Sequence, residues 1–139
     1  MAVEVPVLTK SYVAGEDLSL SQFVFVKLYD KDTIVAAGAG EKAIGILQDD
    51  PKLGAMGSVM LIGESKMRCY ASAGIAIGAA VGASAVVTPG PPASPKGAAI
   101  TVTEDTDSDL YIIGTCTVPC DANGIGSCLL GGTPYRTSA

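Results

Sequence analysis

Ile44-Gly45-Ile46-Leu47, followed after a turn-rich stretch by Gly57-Ser58-Val59-Met60-Leu61-Ile62-Gly63, decides how this chain is read, because it occurs twice. Shifted by 69 residues, Ile113-Gly114-Thr115-Cys116 leads to Gly126-Ser127-Cys128-Leu129-Leu130-Gly131-Gly132. The 20 aligned positions need no gap and hold six identities: Ile44/Ile113, Gly45/Gly114, Gly57/Gly126, Ser58/Ser127, Leu61/Leu130 and Gly63/Gly132. Each copy reads as a short strand, a connection rich in turn formers and a second short strand, which is a β-hairpin. Two copies are too few for a solenoid. They predict an all-β fold, a small β-barrel or sandwich with two similar hairpins.

Outward from the repeat the pattern stays β. Gln22-Phe23-Val24-Phe25-Val26-Lys27-Leu28-Tyr29 is β-branched and aromatic throughout. Asp30-Lys31-Asp32 turns it, and Thr33-Ile34-Val35-Ala36 returns as its hairpin partner. Upstream, Val3, Val5 and Val7 alternate with Ala2, Glu4 and Pro6, an extended pattern interrupted by proline. Residues 1–22 therefore read as an N-terminal arm, and residues 23–139 as one β-rich domain. On this reading, deleting residues 1–12 should leave the fold intact.

Residues 69–94 carry no charge and include Gly74, Gly78 and Gly82 at a spacing that packs membrane helices. The run is built of Ala and Gly more than Leu or Phe, and a period of two fits it. Ala73, Ile75, Ile77, Ala79, Val81 and Ala83 share one parity; Gly74, Gly78, Gly82 and Ser84 share the other. Short strands joined by glycine turns are expected here, with no membrane partner. Residues 88–96, holding Pro89, Pro91, Pro92 and Pro95, are a loop.

The chain has 139 residues, a net charge of -5, 48% hydrophobic and 17% charged residues, and neither His nor Trp. That length favours one domain with a real core. The absence of His removes His-based triads and His metal sites, and the acidity removes the footprint of a nucleic-acid binder. Glu104, Asp105, Asp107 and Asp109 alternate like a calcium loop, but Leu110 and Cys116 stand where such a loop needs Gly and Glu. A solvated acidic turn is the reading, with no metal. Gly38-Ala39-Gly40-Glu41-Lys42-Ala43 lacks the spacing of a phosphate loop. Lys66-Met67 resembles the modified lysine of small carrier domains, except that Ser65 stands where Met is expected. No base is placed to activate a Ser or Cys nucleophile. We expect no catalytic residues, no cofactor and no enzyme activity.

The opening Met-Ala-Val-Glu-Val-Pro is not a secretory signal, so the cysteines start as reduced thiols. Cys116 and Cys128 replace the Leu47 and Val59 of the first copy, as buried thiols can. A turn centred near Ala122 would also bring them into register, so a disulfide between them is conceivable, with Cys120 a rival partner. The C-x3-C-x7-C spacing matches no zinc ribbon.

The order of the motifs resembles a known family. Ala14-Gly15-Glu16-Asp17-Leu18-Ser19 leads to residues 22–28, then Gly38-Ala39-Gly40-Glu41-Lys42-Ala43-Ile44-Gly45-Ile46-Leu47-Gln48, Pro51, Gly57, and Gly63 through Lys66. Ala73-Gly74-Ile75-Ala76-Ile77-Gly78 follows, and Ile112-Ile113-Gly114 opens the last hairpin. From about residue 8 to residue 130 this resembles the capsid cement, or head decoration, proteins of tailed bacteriophages. The resemblance implies a protein made in the host cytoplasm that sits on the outer surface of the virion capsid and stabilises the shell. It implies homotrimers, the major capsid protein lattice as partner, and an N-terminal arm lying on that lattice. Val3, Val5, Val7, Leu8 and Tyr12 are then the capsid-contact candidates. The chain departs from the family in its longer Pro-rich loop and in the Cys116, Cys120 and Cys128 of its last hairpin. The alternative is another virion component, a tail or fibre accessory domain.

Overall fold

A computed structural model describes residues 2–70, 73–84, 95–103, 108–131 and 134–138. The strands are β1 (Val5–Ala14), β2 (Phe25–Leu28), β3 (Thr33–Ala36), β4 (Gly45–Leu47), β5 (Met56–Arg68), β6 (Ala80–Ala83), β7 (Ala99–Thr101), β8 (Ser108–Ile112), β9 (Gly114–Val118), β10 (Ile125–Leu130) and β11 (Tyr135–Ser138). Nine of them form one mixed sheet in the order β1-β3-β2-β4-β5-β10-β9-β6-β7, and β8 pairs with β11 in a separate ribbon. The all-β expectation holds, though the sheet as a whole is not a strict barrel. Among the described residues no helix is long and apolar enough to cross a membrane.

The repeat is real in three dimensions. β4 and β5 pair Ile46 with Met60 and Leu47 with Val59. β9 and β10 pair Thr115 with Leu129 and Cys116 with Cys128, each the position 69 residues on. The repeated glycines have one cause. A Cβ on Gly45 would overlap the Met60 carbonyl oxygen, and one on Gly114 would lie 2.7 Å from the Leu129 oxygen.

The symmetry extends past what the sequence displays. β2 pairs with β4 through Val26 and Gly45, and β6 pairs with β9 through Val81 and Gly114. β3 then flanks β2, as β7 flanks β6. The orders β3-β2-β4-β5 and β7-β6-β9-β10 are thus the same unit used twice, joined where β5 and β10 pair antiparallel.

β1 belongs to this sheet. It pairs antiparallel with β5 from Val5↔Glu64 to Val13↔Met56, and parallel with β3 at Val13 and Ala14. The pairings β1-β3-β2-β4-β5-β1 therefore close a ring around the first half. The stretch read as a separate arm is, from Val5 onward, a strand of its own chain's sheet. Deleting residues 1–12 would remove most of β1 and with it Tyr12, which is buried inside the ring, so the fold is not expected to survive it.

Two apolar cores lie on opposite faces of the shared strands. One holds Tyr12, Ala14, Leu18, Val24, Val26, Ile34, Ala36, Leu47 and Val59. The other holds Phe25, Ile46, Met60 and Met67 together with Val81, Ile113, Cys116, Cys128 and Leu130 of the second half. Strands buried on both faces read as continuous apolar runs, which is why residues 22–29 look so strongly β. The strand begins only at Phe25, however. Phe23 sits at a φ of 65°, a left-handed position outside β geometry, with its N–H on the Leu47 carbonyl and its carbonyl on the Arg68 N–H.

In the Ala/Gly tract the period of two holds only in part. Ile75, Val81 and Ala83 are buried, but Ala73 and Ile77 are exposed and Gly82 and Ser84 are buried. Among the described residues of the tract one strand forms, β6, and residues 73–79 cross the β9–β10 turn instead, bonding Ile75 with Cys120 in both directions. Most of the Pro-rich loop and the core of the acidic cluster, residues 85–94 and 104–107, lie outside the described residues.

Candidate functional site

The first half of β1 carries an exposed apolar surface. Val5, Val7 and Leu8 are 55%, 72% and 47% exposed, and Ile62, opposite Leu8 on β5, is 40% exposed. β1 also has a free edge. Met60 pairs with Thr9 on one side and Ile46 on the other, and Glu64 pairs with Val5 on one side and Leu129 on the other. β5 thus lies along one edge of β1. Among the described residues the opposite edge pairs with no strand before Val13, because β3 starts there, at Thr33.

Hydrogen bonding fixes which groups that edge presents. The Val13 N–H points to β3, on Asp32, and the Ala14 N–H to the opposite side, on Ala55. By alternation along a strand, Ser11 and Thr9 aim their N–H groups outward. Upstream the edge is blunted. The register slips between Pro6 and Leu8, leaving Val7 as an extra residue on β1, and Pro6 has no donor. Such an edge accepts a short partner strand and resists open-ended stacking.

Of the predicted contact residues, the structure brings Val5, Val7 and Leu8 to the surface, and Ile62 is a neighbour that sequence reading missed. Val3 is half-buried, its N–H on the Ser127 hydroxyl at 2.6 Å and its carbonyl accepting from that hydroxyl at 3.1 Å. Tyr12 is a correction: at 6% exposure it is a core residue, because its strand closes the ring. It lines the floor of a shallow groove of about 460 Å³ with Leu8, Ile44, Leu61, Ile62 and Pro134, and Lys42 stands at the groove. The Lys10 ammonium lies 5.1 Å from the Tyr12 ring centre. The charges along this surface are of both signs: Glu4 and Lys10 are exposed, Glu64 is opposite Val5 and Lys42 lines the groove.

The cysteines divide into two pairs. Cys116 and Cys128 are free, buried and face each other as cross-strand partners, as their Leu47 and Val59 counterparts do. Cys120 is bonded to neither: it forms a disulfide with Cys69, with 6.7 Å between Cα atoms. Nothing in the spacing of the cysteines indicated that pairing. It arises because the chain leaving β5 crosses the β9–β10 turn. Burial, then the neighbouring Cys116 and Glu64, push the Cys128 thiol up to about 12, and burial also raises Cys116.

A pH prediction follows from this pair. The folded chain keeps thiol protons that the unfolded chain loses above its ordinary value of about 9. The stabilising contribution of the neutral pair is full below that pH and declines as pH rises toward 12. The double variant Cys116→Leu/Cys128→Val copies the first-half pair. It should match the parent to within about 1.5 kcal/mol at pH 7 and lose less stability between pH 8 and 10.5. Urea midpoints at both pH values measure this, and equal losses in the two proteins would refute the assignment.

Among the described residues, no three His, Cys, Asp or Glu side chains gather as metal ligands. No family model matches the chain, and no curated protein matches it in sequence. Among solved structures it is similar to the N base of head fiber gp8.5 of bacteriophage phi29, with a TM-score of 0.61 and 10% identity, over 93% of this chain and 98% of that one. At that identity the likeness establishes a shared fold.

Proposed function

We propose that this chain is a structural protein of a tailed-phage virion, bound to the outside of the head as a capsid decoration or cement protein. The observation that carries the reading is the fold shared with the base domain of a head fibre, over nearly the whole of both chains. The motif order that resembles cement proteins supports it independently. The exposed Val5, Val7 and Leu8 beside an open β1 edge supply a surface by which such a module can dock. A strand of the major capsid protein laid on that edge would take up the outward N–H groups of Thr9 and Ser11 and cover the apolar side chains. A cement protein binds the assembled lattice better than free subunits, so each bound copy stabilises the shell by mass action and no chemical step is needed. Trimers at three-fold positions fit this role.

The shared fold with a fibre base also favours a second reading, in which the chain is the foot of a head appendage. Copy number separates the two. Undecorated heads of the same phage, incubated with the protein and sedimented, should bind hundreds of copies at saturation. A handful of copies per head would favour the appendage, and no binding would remove both readings. Within that assay, Val7→Asp should weaken head binding about tenfold or more while leaving the fold unaltered, because Val7 is exposed on a bulge and only docking would bury the new charge. Wild-type binding by Val7→Asp would move the contact away from β1.

A further inference from the structure

We propose that the Cys69–Cys120 pair is an oxidation-set brace: a chain that folds with both thiols reduced, then locks its two halves together when it meets a disulfide oxidant.

The two sulfurs are held in place by the backbone. Cys69 follows directly on β5, and its N–H bonds the Gly124 carbonyl. The next residue, Tyr70, bonds Ala99 through its N–H and accepts from the Asn123 N–H. Ile75 and Cys120 exchange N–H···O bonds at 2.9 and 3.1 Å. These contacts lay residues 69–70 and 73–75 against the β9–β10 turn without help from sulfur, so the thiols of a reduced chain are already neighbours. What the bond adds is a covalent loop of 51 residues spanning β6 to β9, tied to the end of the first half.

Access selects this pair over the other. Cys120 is half-buried and lines an open hollow of about 620 Å³ with Gly74, Ile75, Ala76, Pro119 and Asp121. Cys69 behind it is fully buried. Cys116 and Cys128 are enclosed in the core among apolar side chains. A small disulfide such as oxidised glutathione can therefore reach Cys120. The Cys120 thiolate attacks one sulfur of that disulfide, forming a mixed disulfide and expelling one glutathione thiolate. Cys69 then attacks the Cys120 sulfur, expelling the second. The two protons leave with the two glutathione thiols, and both electrons of the new bond's formation reside in them. The cytoplasmic glutathione pool runs this step backward and an oxidising exterior runs it forward. That timing rests on the virion-exterior reading; the chemistry does not.

The test uses the isolated full chain in glutathione buffers of rising oxidised fraction. One bond should form, mapped to Cys69 and Cys120 by non-reducing peptide analysis. The fully reduced chain should be folded, and oxidation should raise its Tm by about 10 °C, from a shift of about a thousandfold in the folding equilibrium. Hydrogen exchange in β6–β9 should slow on oxidation. Cys120→Ser, at the half-buried position, should fold with a Tm near that of the reduced parent; Cys69→Ser, which puts a hydroxyl into the core, should melt lower; neither should respond to oxidant. Cys116 and Cys128 should alkylate only on unfolding. A bond between Cys116 and Cys128, a reduced chain that does not fold, or a Tm indifferent to oxidant would each overturn the brace. Head binding is absent from the assay, so failure of the capsid reading and failure of the brace are distinguishable.

Discussion

A chain that begins at Val13 should fail to fold at 25 °C. Deleting residues 1–12 removes the strand that closes the ring on the first core. Tyr12, 6% exposed, is lost with it, and truncating a buried aromatic alone costs about 3–5 kcal/mol. The β1 edge of β5 also loses its partners from Gly57 to Glu64, and Val59, Leu47 and Ile34 lose the cover that keeps them dry. Ladder groups left unpaired in partly buried positions cost about 1–3 kcal/mol each. The sum reaches the whole stability of a typical domain, about 5–15 kcal/mol. Circular dichroism and a urea titration of the truncated chain measure this. The exposed-face variant Val7→Asp, which keeps β1, should retain the parental transition. A truncated chain with a cooperative unfolding curve would mean that β1 is dispensable, and the arm reading would return.

The second large effect is expected at the repeated glycines, with unequal size. Gly45→Ala places a Cβ onto the Met60 carbonyl oxygen, which belongs to β5 where β1 and β4 flank it on either side. That oxygen cannot yield without spoiling two ladders. A cost of about 3 kcal/mol or more is expected, at or beyond the upper end for overpacking. Gly114→Ala meets the Leu129 oxygen at 2.7 Å. Leu129 is likewise paired on both sides, with Glu64 and Thr115, but the approach at Gly114 is less close and Leu129 is next to the end of β10, so a small shift relieves the contact and about 1–2 kcal/mol is expected. Denaturant midpoints for the two variants decide the matter. Equal costs would show that the closer overlap at Gly45 and the strand-end place of Leu129 do not matter, and a neutral Gly45→Ala would remove the reason given for the repeat's glycines.

Those glycines also show how far the sequence could be read. The 69-residue shift matched Leu47 with Cys116 and Val59 with Cys128, and the structure sets Leu47 across from Val59 just as it sets Cys116 across from Cys128. The shift was visible because the connection inside each hairpin has the same length. It faded outside the hairpins because the connections there differ. Four residues join β2 to β3, whereas β6 and β7 are separated by the Pro-rich stretch. The matching of Val26 with Val81 therefore has no constant offset and can be found only from pairing.

The candidate site was legible in the same partial way. Alternating valines marked β1 as extended, and Val5, Val7 and Leu8 are exposed. Period two, however, says only that a strand has two faces. It is silent on which partner lies beside it, so the strand's place next to β5, the burial of Tyr12 and the nearness of Ile62 were out of reach. Cys120 was linked in sequence to its local neighbours Cys116 and Cys128. Its actual partner is 51 residues away, where the exit from β5 crosses the last turn.

The sequence by itself determined the β class, the two hairpins and the facing of Cys116 and Cys128 across the second of them. Those follow from short-range periodicity and turn chemistry, which act over a few residues and leave their mark in each segment. Only the tertiary structure decided that β1 closes a ring with its own chain, that β2 to β5 and β6 to β10 repeat one unit, and that Cys69 meets Cys120. Those are contacts between distant segments. Their free energy comes from burying faces whose partners are chosen by the whole sheet, and no local pattern encodes that choice.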